Sequence, residues 1–389
     1  MKPKIKLLLV AGTRPEIIKL APLLFAANAT GPWQVSLCFT GQHRDMGMAM
    51  IRDLALPCDH NLALMCPDQS PAAFLGVALP ALEGVIVRER PDWIVVQGDT
   101  TTALAGALAG FYRRVPVLHV EAGLRTYDKT QPFPEEVHRQ VISRLADAHC
   151  APTEAARQAL LREQVADRDI LVCGNTSIDC LLHVVRALRD AAPALPAEFL
   201  ASPAGRRLFT PDGRPTDTRL VLITGHRRES FGEGFAAICR AILRLAERFP
   251  TVEFVYPVHL NPQVSEVVHR MLARVANIHL IAPQAYRPFV QWMERATLIL
   301  TDSGGIQEEA PALGKPVLVM RHVTERPEAV ECGASLLVGN DEERIVATTT
   351  RLLTDSSAFA AMAVPRFPYG DGHAAPRLLT WLESHAAHT

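Results

Sequence analysis

Short, near-continuous apolar runs alternate with longer amphipathic stretches along the chain. The runs in the first part are IKLLLVAG (5–12), QVSLCFTG (34–41), DWIVVQGD (92–99), VPVLHVEAG (115–123), AHCAPT (148–153) and ILVCGN (170–175). RLVLITGH (219–226), VEFVYPVH (252–259), IHLIAP (278–283), TLILTDSG (297–304), PVLVMR (316–321) and SLLVGN (335–340) follow. Runs without polar alternation predict strands buried on both faces, as in parallel sheets. Between them, EIIKLAPLLFAA, AFLGVALPALEGVIVRE and FAAICRAILRLAERF place apolar residues at helical spacing. This alternation predicts a doubly wound α/β fold. The runs fall into two groups of six around the Ala-, Pro- and charge-rich stretch 187–218, which reads as a linker with at most one helix. GHAAPRLLTWLESHAA closes the sequence as an amphipathic helix.

A length of 389 residues favours two domains over one core. Lys and Arg total 40 against 41 Asp and Glu, so no basic excess drives binding to nucleic acid. A polyanionic ligand would be held by a few placed residues instead. The eight cysteines form no CxxC pair and several lie in apolar runs, which suggests core packing in a reducing compartment rather than metal binding. The opening MKPKIKLLLVAG is too short in its apolar part for a secretory signal, and no run reads as long enough to span a bilayer. The expectation is a cytoplasmic protein without a membrane partner.

In open α/β sheets ligands bind at the carboxyl ends of the strands, and these ends are polar here. They carry Thr13-Arg14-Pro15-Glu16 with Lys19 beyond, Asp99-Thr100-Thr101-Thr102, Glu121 to Arg125, Gly225-His226-Arg227, His259 and Asp302-Ser303-Gly304-Gly305. One polar loop means little; six together predict a cleft. Ser303, Gly304 and Gly305 would open a helix whose free N–H groups and dipole favour an anion. Glu309, further into that helix, could accept hydrogen bonds from a ribose. The plain alternative is a capped helix after a glycine-rich turn. Arg14 and Lys19 are partners for a diphosphate. GTRPE is not GxGxxG, so a nicotinamide dinucleotide is not supported. Asp99, Glu121, Glu135 and His226 are the acid–base candidates, the first two following buried strands that could raise their pKa values. The plain reading of Glu135 is pairing with a helix dipole, shared with Glu136. His226 is expected to open a helix, and His119, inside a strand, to be a satisfied core residue.

GTRPEIIKLAPL, GQHRDM, QGDTTT, HVEAGLRT, PFPEEVHR, APTEAAR, GNTSID, GHRRESFG, YPVHLNP, TDSGGIQEEAPALGKPVLVMR, TERPEAV and YGDG occur in that order. The ordered set resembles the non-hydrolysing bacterial UDP-N-acetylglucosamine 2-epimerases over nearly the whole chain. The resemblance implies two Rossmann-like domains with a central cleft, the glycosyltransferase-B architecture. On that basis the first domain covers 1–185, completed by a terminal helix at 372–389, and the second covers 186–371. The resemblance further implies C2 epimerisation of UDP-GlcNAc to UDP-ManNAc by anti elimination of UDP and its re-addition. No cofactor and no metal are implied, and a homodimer is expected. Carried over by motif, Asp99, Glu121 and Glu135 are acid–base carboxylates and His226 acts on the phosphate side. UDP contacts fall to Arg14, Lys19, Gln284, Phe289, Ser303, Gly304, Gly305, Glu309 and Arg326.

Two positions depart from the family pattern. His138 stands where the family commonly has Asn, and Asp68 lies about where regulated members place a basic residue. Gln42 and His43 match the region in which many members bind a second, activating UDP-GlcNAc. Three other readings stay open on sequence: a retaining glycosyltransferase of the same fold, acting on a UDP-sugar; a hydrolysing epimerase; and a non-catalytic UDP-sugar sensor. An epimerase acting on a modified UDP-GlcNAc is a further variant of the same reading.

Overall fold

The computed structural model describes residues 4–29, 31–189, 194–227 and 231–386. The chain forms two compact units. One runs to Leu182 and takes in the segment from Tyr369 onward; the other spans His183–Pro368.

The first unit holds a seven-stranded parallel sheet. Its strands are β1 (Ile5–Ala11), β2 (Trp33–Phe39), β3 (His60–Asn61), β4 (Trp93–Gln97), β5 (Val117–Val120), β6 (Ala148–Ala151) and β7 (Ile170–Val172), in the spatial order β3-β2-β1-β4-β5-β6-β7. The second unit holds β8 (Leu220–Thr224), β9 (Glu253–Pro257), β10 (Ile278–Ile281), β11 (Leu298–Thr301), β12 (Val317–Val319) and β13 (Ser335–Leu337), in the order β10-β9-β8-β11-β12-β13. Every pairing in both sheets is parallel. In each sheet the order reverses at the unit's first strand, which places a crevice at the carboxyl ends of β1 and β4, and of β8 and β11.

Burial on both faces explains the continuous apolar runs. Ile94, Val95 and Val96 of β4 are all fully buried, as are Leu220 to Ile223 of β8. One face of β1 and β4, with Leu8, Val10, Ile94 and Val96, packs against Phe74, Ala78, Leu82 and Val85 of the helix Pro71–Glu89. Each such side chain contributes roughly 1.5–3 kcal/mol by leaving water. Ser70, Thr100 and Thr153 cap the helices that follow them through their side-chain oxygens.

All the expected strands are present, and β3 was not expected. It is two polar residues long and paired only at the sheet edge, so it leaves no apolar run to read. Two expectations are corrected. Of the stretch 187–218, residues 187–189 end the helix Thr176–Arg189, and the described residues 194–218 hold two short helices, Ala197–Ala201 and Pro203–Leu208, within the second unit. Phe199 and Phe209 both meet the buried Trp292 edge-on, at 4.9 and 5.8 Å between ring centroids. Aromatic packing spread over distant positions is invisible in local composition. Secondly, the helix Pro71–Glu89 is, by length and composition only, apolar enough to cross a bilayer; its Phe74, Ala78, Leu82, Val85 and Ile86 are buried in the first unit. Its glycines, Pro80 and Glu83 had disguised that run. The closing helix Ala374–Ala386 packs on the helix Arg14–Ala29 of the first unit, and Asp179 accepts the Ala375 N–H at 2.8 Å.

Candidate active site

In the first unit, the loops after β1, β4 and β5 and the start of the helix Glu135–Leu145 enclose a cavity of about 340 Å³. Lys19, Gln42, His43, Asp99, Glu121, Glu135 and His138 line it together. Side chains separated by more than a hundred positions in sequence converge here because the first turn of each helix follows a strand at the same edge of the sheet. Arg14 opens its helix half-buried and does not line the cavity.

Asp99 follows β4. Burial raises its carboxyl above the usual range, opposed by Arg139, whose guanidinium lies 2.5 Å from Oδ2. His138 donates from Nδ1 to the Asp99 carbonyl at 3.0 Å, so the ring found where Asn is common braces the Asp99 backbone. Glu121 has a left-handed backbone with φ of 63°, strained for a residue with a side chain. Its carboxylate accepts from Lys19 Nζ at 2.5 Å, from Asn175 Nδ2 at 3.2 Å and from Gln97 Nε2. Lys19 is therefore paired with a carboxylate.

The Glu135–Glu136 pair divides its labour. Glu135 lines the cavity. Glu136 is fully buried and accepts the Thr126 and Tyr127 N–H groups, each at 3.0 Å, and Gln140 Nε2 at 2.8 Å. Burial pushes its carboxyl up, but these donors outweigh it and hold the group below its ordinary value. Gln42 accepts from Thr102 N and Oγ1 at 3.1 and 2.9 Å through its carbonyl oxygen. His43 has its titration lowered by burial, and its Nδ1 has no hydrogen-bond partner. His119 is buried as expected, but only half satisfied: Nε2 donates to the Gly98 carbonyl at 2.7 Å and Nδ1 is unpartnered. Burial lowers its pKa to about 3, so it is neutral.

In the second unit, Ser303 is the N-cap residue of the helix Gly304–Ala312, and its side chain makes no capping bond. The first-turn N–H groups have no acceptor within the helix. A Cβ at Gly305 would meet nothing within 4 Å, so the backbone is open to close approach. Arg227 and Arg326 each reach to within about 4 Å of where a Cβ on Gly304 would stand. Arg326 also pairs with the buried Glu308. Two guanidiniums beside a helix N-terminus without a side-chain cap make a local field that favours negative charge. Glu309 accepts from Tyr286 at 3.1 Å. Gln284 donates to the Ala282 carbonyl at 2.6 Å, and Phe289 lies half-buried on the helix Tyr286–Arg295.

His226 does not open a helix. It sits in the loop after β8, the following helix begins at Glu233, and residues 228–230 of its motif lie outside the described residues. Asp302 explains its position. This buried carboxylate accepts the His226 and Arg227 N–H groups at 2.7 and 2.8 Å, and its other oxygen lies 3.4 Å from His226 Nδ1. Burial lowers the His226 pKa while the Asp302 charge opposes it; His259, stacked at 5.3 Å, adds to the lowering.

Sequence reasoning passed over Gln97, Arg139, Asn175 and Asp302 as working parts. Asp302 alone left a signal, standing at a strand end beside Ser303.

The family model described as UDP-N-acetylglucosamine 2-epimerase matches residues 26–383. The chain belongs to that family. It is 50% identical to the UDP-N-acetylglucosamine 2-epimerase of Yersinia pestis, over 98% of this chain and 99% of that protein. With the Escherichia coli (strain K12) enzyme of the same name it shares 48%, over 98% and 99% of the two chains. The crystal structure of UDP-GlcNAc 2-epimerase from Neisseria meningitidis bound to UDP-GlcNAc is similar with a TM-score of 0.87 and 40% identity, covering 98% of this chain and 100% of that one. Epimerases of this family thus share the paired parallel-sheet architecture in which the cavity and the anion site are built.

Proposed function

We propose that the protein interconverts UDP-N-acetylglucosamine and UDP-N-acetylmannosamine at C2 by elimination and re-addition of UDP. The observation that carries this reading is the meeting of Asp99, Glu121 and Glu135 in one cavity of a chain that belongs to this family. Inversion at C2 requires a proton to leave one face and return to the other, so groups on both faces are needed. As the base takes the C2 proton, the C–H electron pair becomes the C1=C2 bond. The C1–O bond breaks, and UDP departs with its electrons. Oxocarbenium character at C1 is stabilised by nearby carboxylates. The glucal remains until UDP attacks C1 again and a proton is delivered to C2 from the opposite face.

UDP recognition is assigned to the second unit. Gly304 and Gly305 supply N–H groups to phosphate and Ser303 its hydroxyl, the Ser303 N–H being held by Thr301, with Arg326 beside them. Glu309 takes the ribose, Gln284 and Phe289 the uracil side, and His226, positioned by Asp302, the leaving phosphate. Within the first unit, Arg14 and Lys19 are assigned to diphosphate, Lys19 exchanging its pairing with Glu121. Gln42 and His43 extend the cavity toward a second UDP-GlcNAc, with the Gln42 amide N–H groups available once its oxygen is held by Thr102.

The protein acts as a cytoplasmic homodimer supplying precursors for surface polysaccharide. Eight free cysteines fit a reducing compartment. Exposed Val77, Val87, Phe111, Tyr112, Val137 and Val141 on three neighbouring helices of the first unit fit self-association.

Incubation with UDP-GlcNAc in D₂O, without any acceptor, tests the reading. Deuterium at C2 of both epimers with UDP-ManNAc accumulating is expected. Free N-acetylmannosamine, or no exchange by folded protein, would refute it.

A further inference from the structure

Glu16 stands outside the acid–base set, yet it is fully buried at the edge of the same cavity. It occupies the third position of the helix Arg14–Ala29, and Thr13-Arg14-Pro15-Glu16 has the form of a capping box. That role needs only one carboxylate oxygen. Oε2 fills it, accepting the Gly12 N–H at 3.0 Å and the Thr13 N–H and hydroxyl at 2.7 Å each. Oε1 accepts the Thr100 hydroxyl at 2.7 Å, from a residue 84 positions away. Thr100 directly follows Asp99 and also caps the helix Thr101–Arg113 by accepting the Ala103 N–H at 3.0 Å. The loops are pressed together here: a Cβ on Gly12 would collide with the hydroxyls of Thr102 and Thr40. One turn beyond Glu16, Lys19 holds Glu121. A single helix start is thus tied to the loop of Asp99 and to the carboxylate of Glu121.

We propose that Glu16 is a positioning residue which, through Thr100, fixes Asp99 relative to Lys19 and Glu121 at the separation that C2 proton transfer requires. The proposal rests on the epimerase reading given above. A carboxylate with both oxygens engaged by rigid loops transmits position without touching substrate, and misplacement of a reacting group by about 1 Å can lower turnover on the order of 100-fold.

The test uses Thr100→Val, which removes the hydroxyl, and Thr100→Ser, which restores it. Thr100→Val is expected to lower kcat about 20-fold while KM for UDP-GlcNAc moves less than about threefold. Thr100→Ser should stay within about twofold of the parent enzyme, because it keeps both hydrogen bonds. Thr153→Val removes the cap of the helix Glu154–Arg162 and controls for simple loss of stability; its Tm should fall without a change in kcat. A second arm needs no turnover: the Asp99 carboxyl is titrated by ¹³C NMR in the unliganded protein. Arg139, Glu121, Lys19 and Glu135 face Asp99 in every variant, so loosening its loop in Thr100→Val admits water and moves its titration to lower pH. An unchanged kcat, or an unchanged Asp99 titration in folded Thr100→Val, overturns the clamp. Absence of C2 exchange in the parent protein refutes the epimerase reading instead, and the titration arm still decides the clamp.

Discussion

The cavity of the first unit and the anion site of the second are built on opposite principles. Around Asp99, Glu121 and Glu16, protein donors already occupy the carboxylates: Arg139, Lys19, Gln97, Asn175 and Thr100. At the second unit's helix start the Ser303 N–H is taken by the Thr301 hydroxyl at 3.0 Å, but Gly304 and Gly305 have no side-chain cap and no atoms stand over Gly305. Groups that must exchange a proton at a set moment gain from being held in place beforehand. A site that takes up and releases an anion gains from unfilled N–H groups whose dipole needs no reorganisation. Lys19 stands between the two kinds: Glu121 holds it in place, and its assigned role is to exchange that pairing for diphosphate.

The largest effect that would sharpen this contrast is expected from Asp99→Asn. Turnover should fall about 1,000-fold while UDP affinity, measured by calorimetry, stays within about tenfold. An equal loss in both would dissolve the distinction between the two sites. Next comes Glu16→Gln. Burial pushes the Glu16 carboxyl up to about 7, against four opposing donors. Below about pH 4.5 both folded and unfolded chains hold the proton, so its stabilisation is fully present. As pH rises to about 7 the unfolded chain ionises first, and stability is lost. The Gln variant lacks this dependence. Denaturant unfolding should therefore show it gaining about 3 kcal/mol on the parent between pH 4.5 and 8. A constant gap between the two proteins would mean that Glu16 is ionised throughout.

Asp302→Asn is expected to lower kcat about 20-fold, since an amide oxygen can still accept both backbone N–H groups that now share Oδ2 but the neutral side chain no longer supports charge on His226. Burial already lowers the His226 pKa and the Asp302 charge opposes that. Its removal should shift the His226 ring titration, followed by NMR, further to lower pH; an unmoved titration would show that Asp302 merely shapes the loop. The smallest effect is expected from Gly305→Ala. The added methyl has room, so Tm should hold or rise slightly, while UDP binding weakens about fivefold because the methyl stands where an anion approaches. Unchanged UDP affinity would remove Gly305 from the anion site.

The sequence by itself determined the doubly wound α/β character, because strands buried on both faces need continuous apolar runs. It also marked polar strand ends: Asp99, Glu121, His226 and the Ser303 helix start stand where the topology rule puts ligands, and Glu135 opens a helix that lines the same cavity as Asp99 and Glu121. Tertiary structure alone decided the partners. That Glu135 faces the cavity while Glu136 braces the loop follows from the direction of one helix turn, which two adjacent identical residues cannot announce. That Glu16 reaches Thr100, that Asn175 and Gln97 hydrogen-bond Glu121, and that Phe199 and Phe209 pack on Trp292 are all long-range facts. Local sequence sets the conformational preferences of a segment; which side chain meets which across a sheet edge depends on the register and packing of elements far apart in the chain, and only the folded molecule carries it.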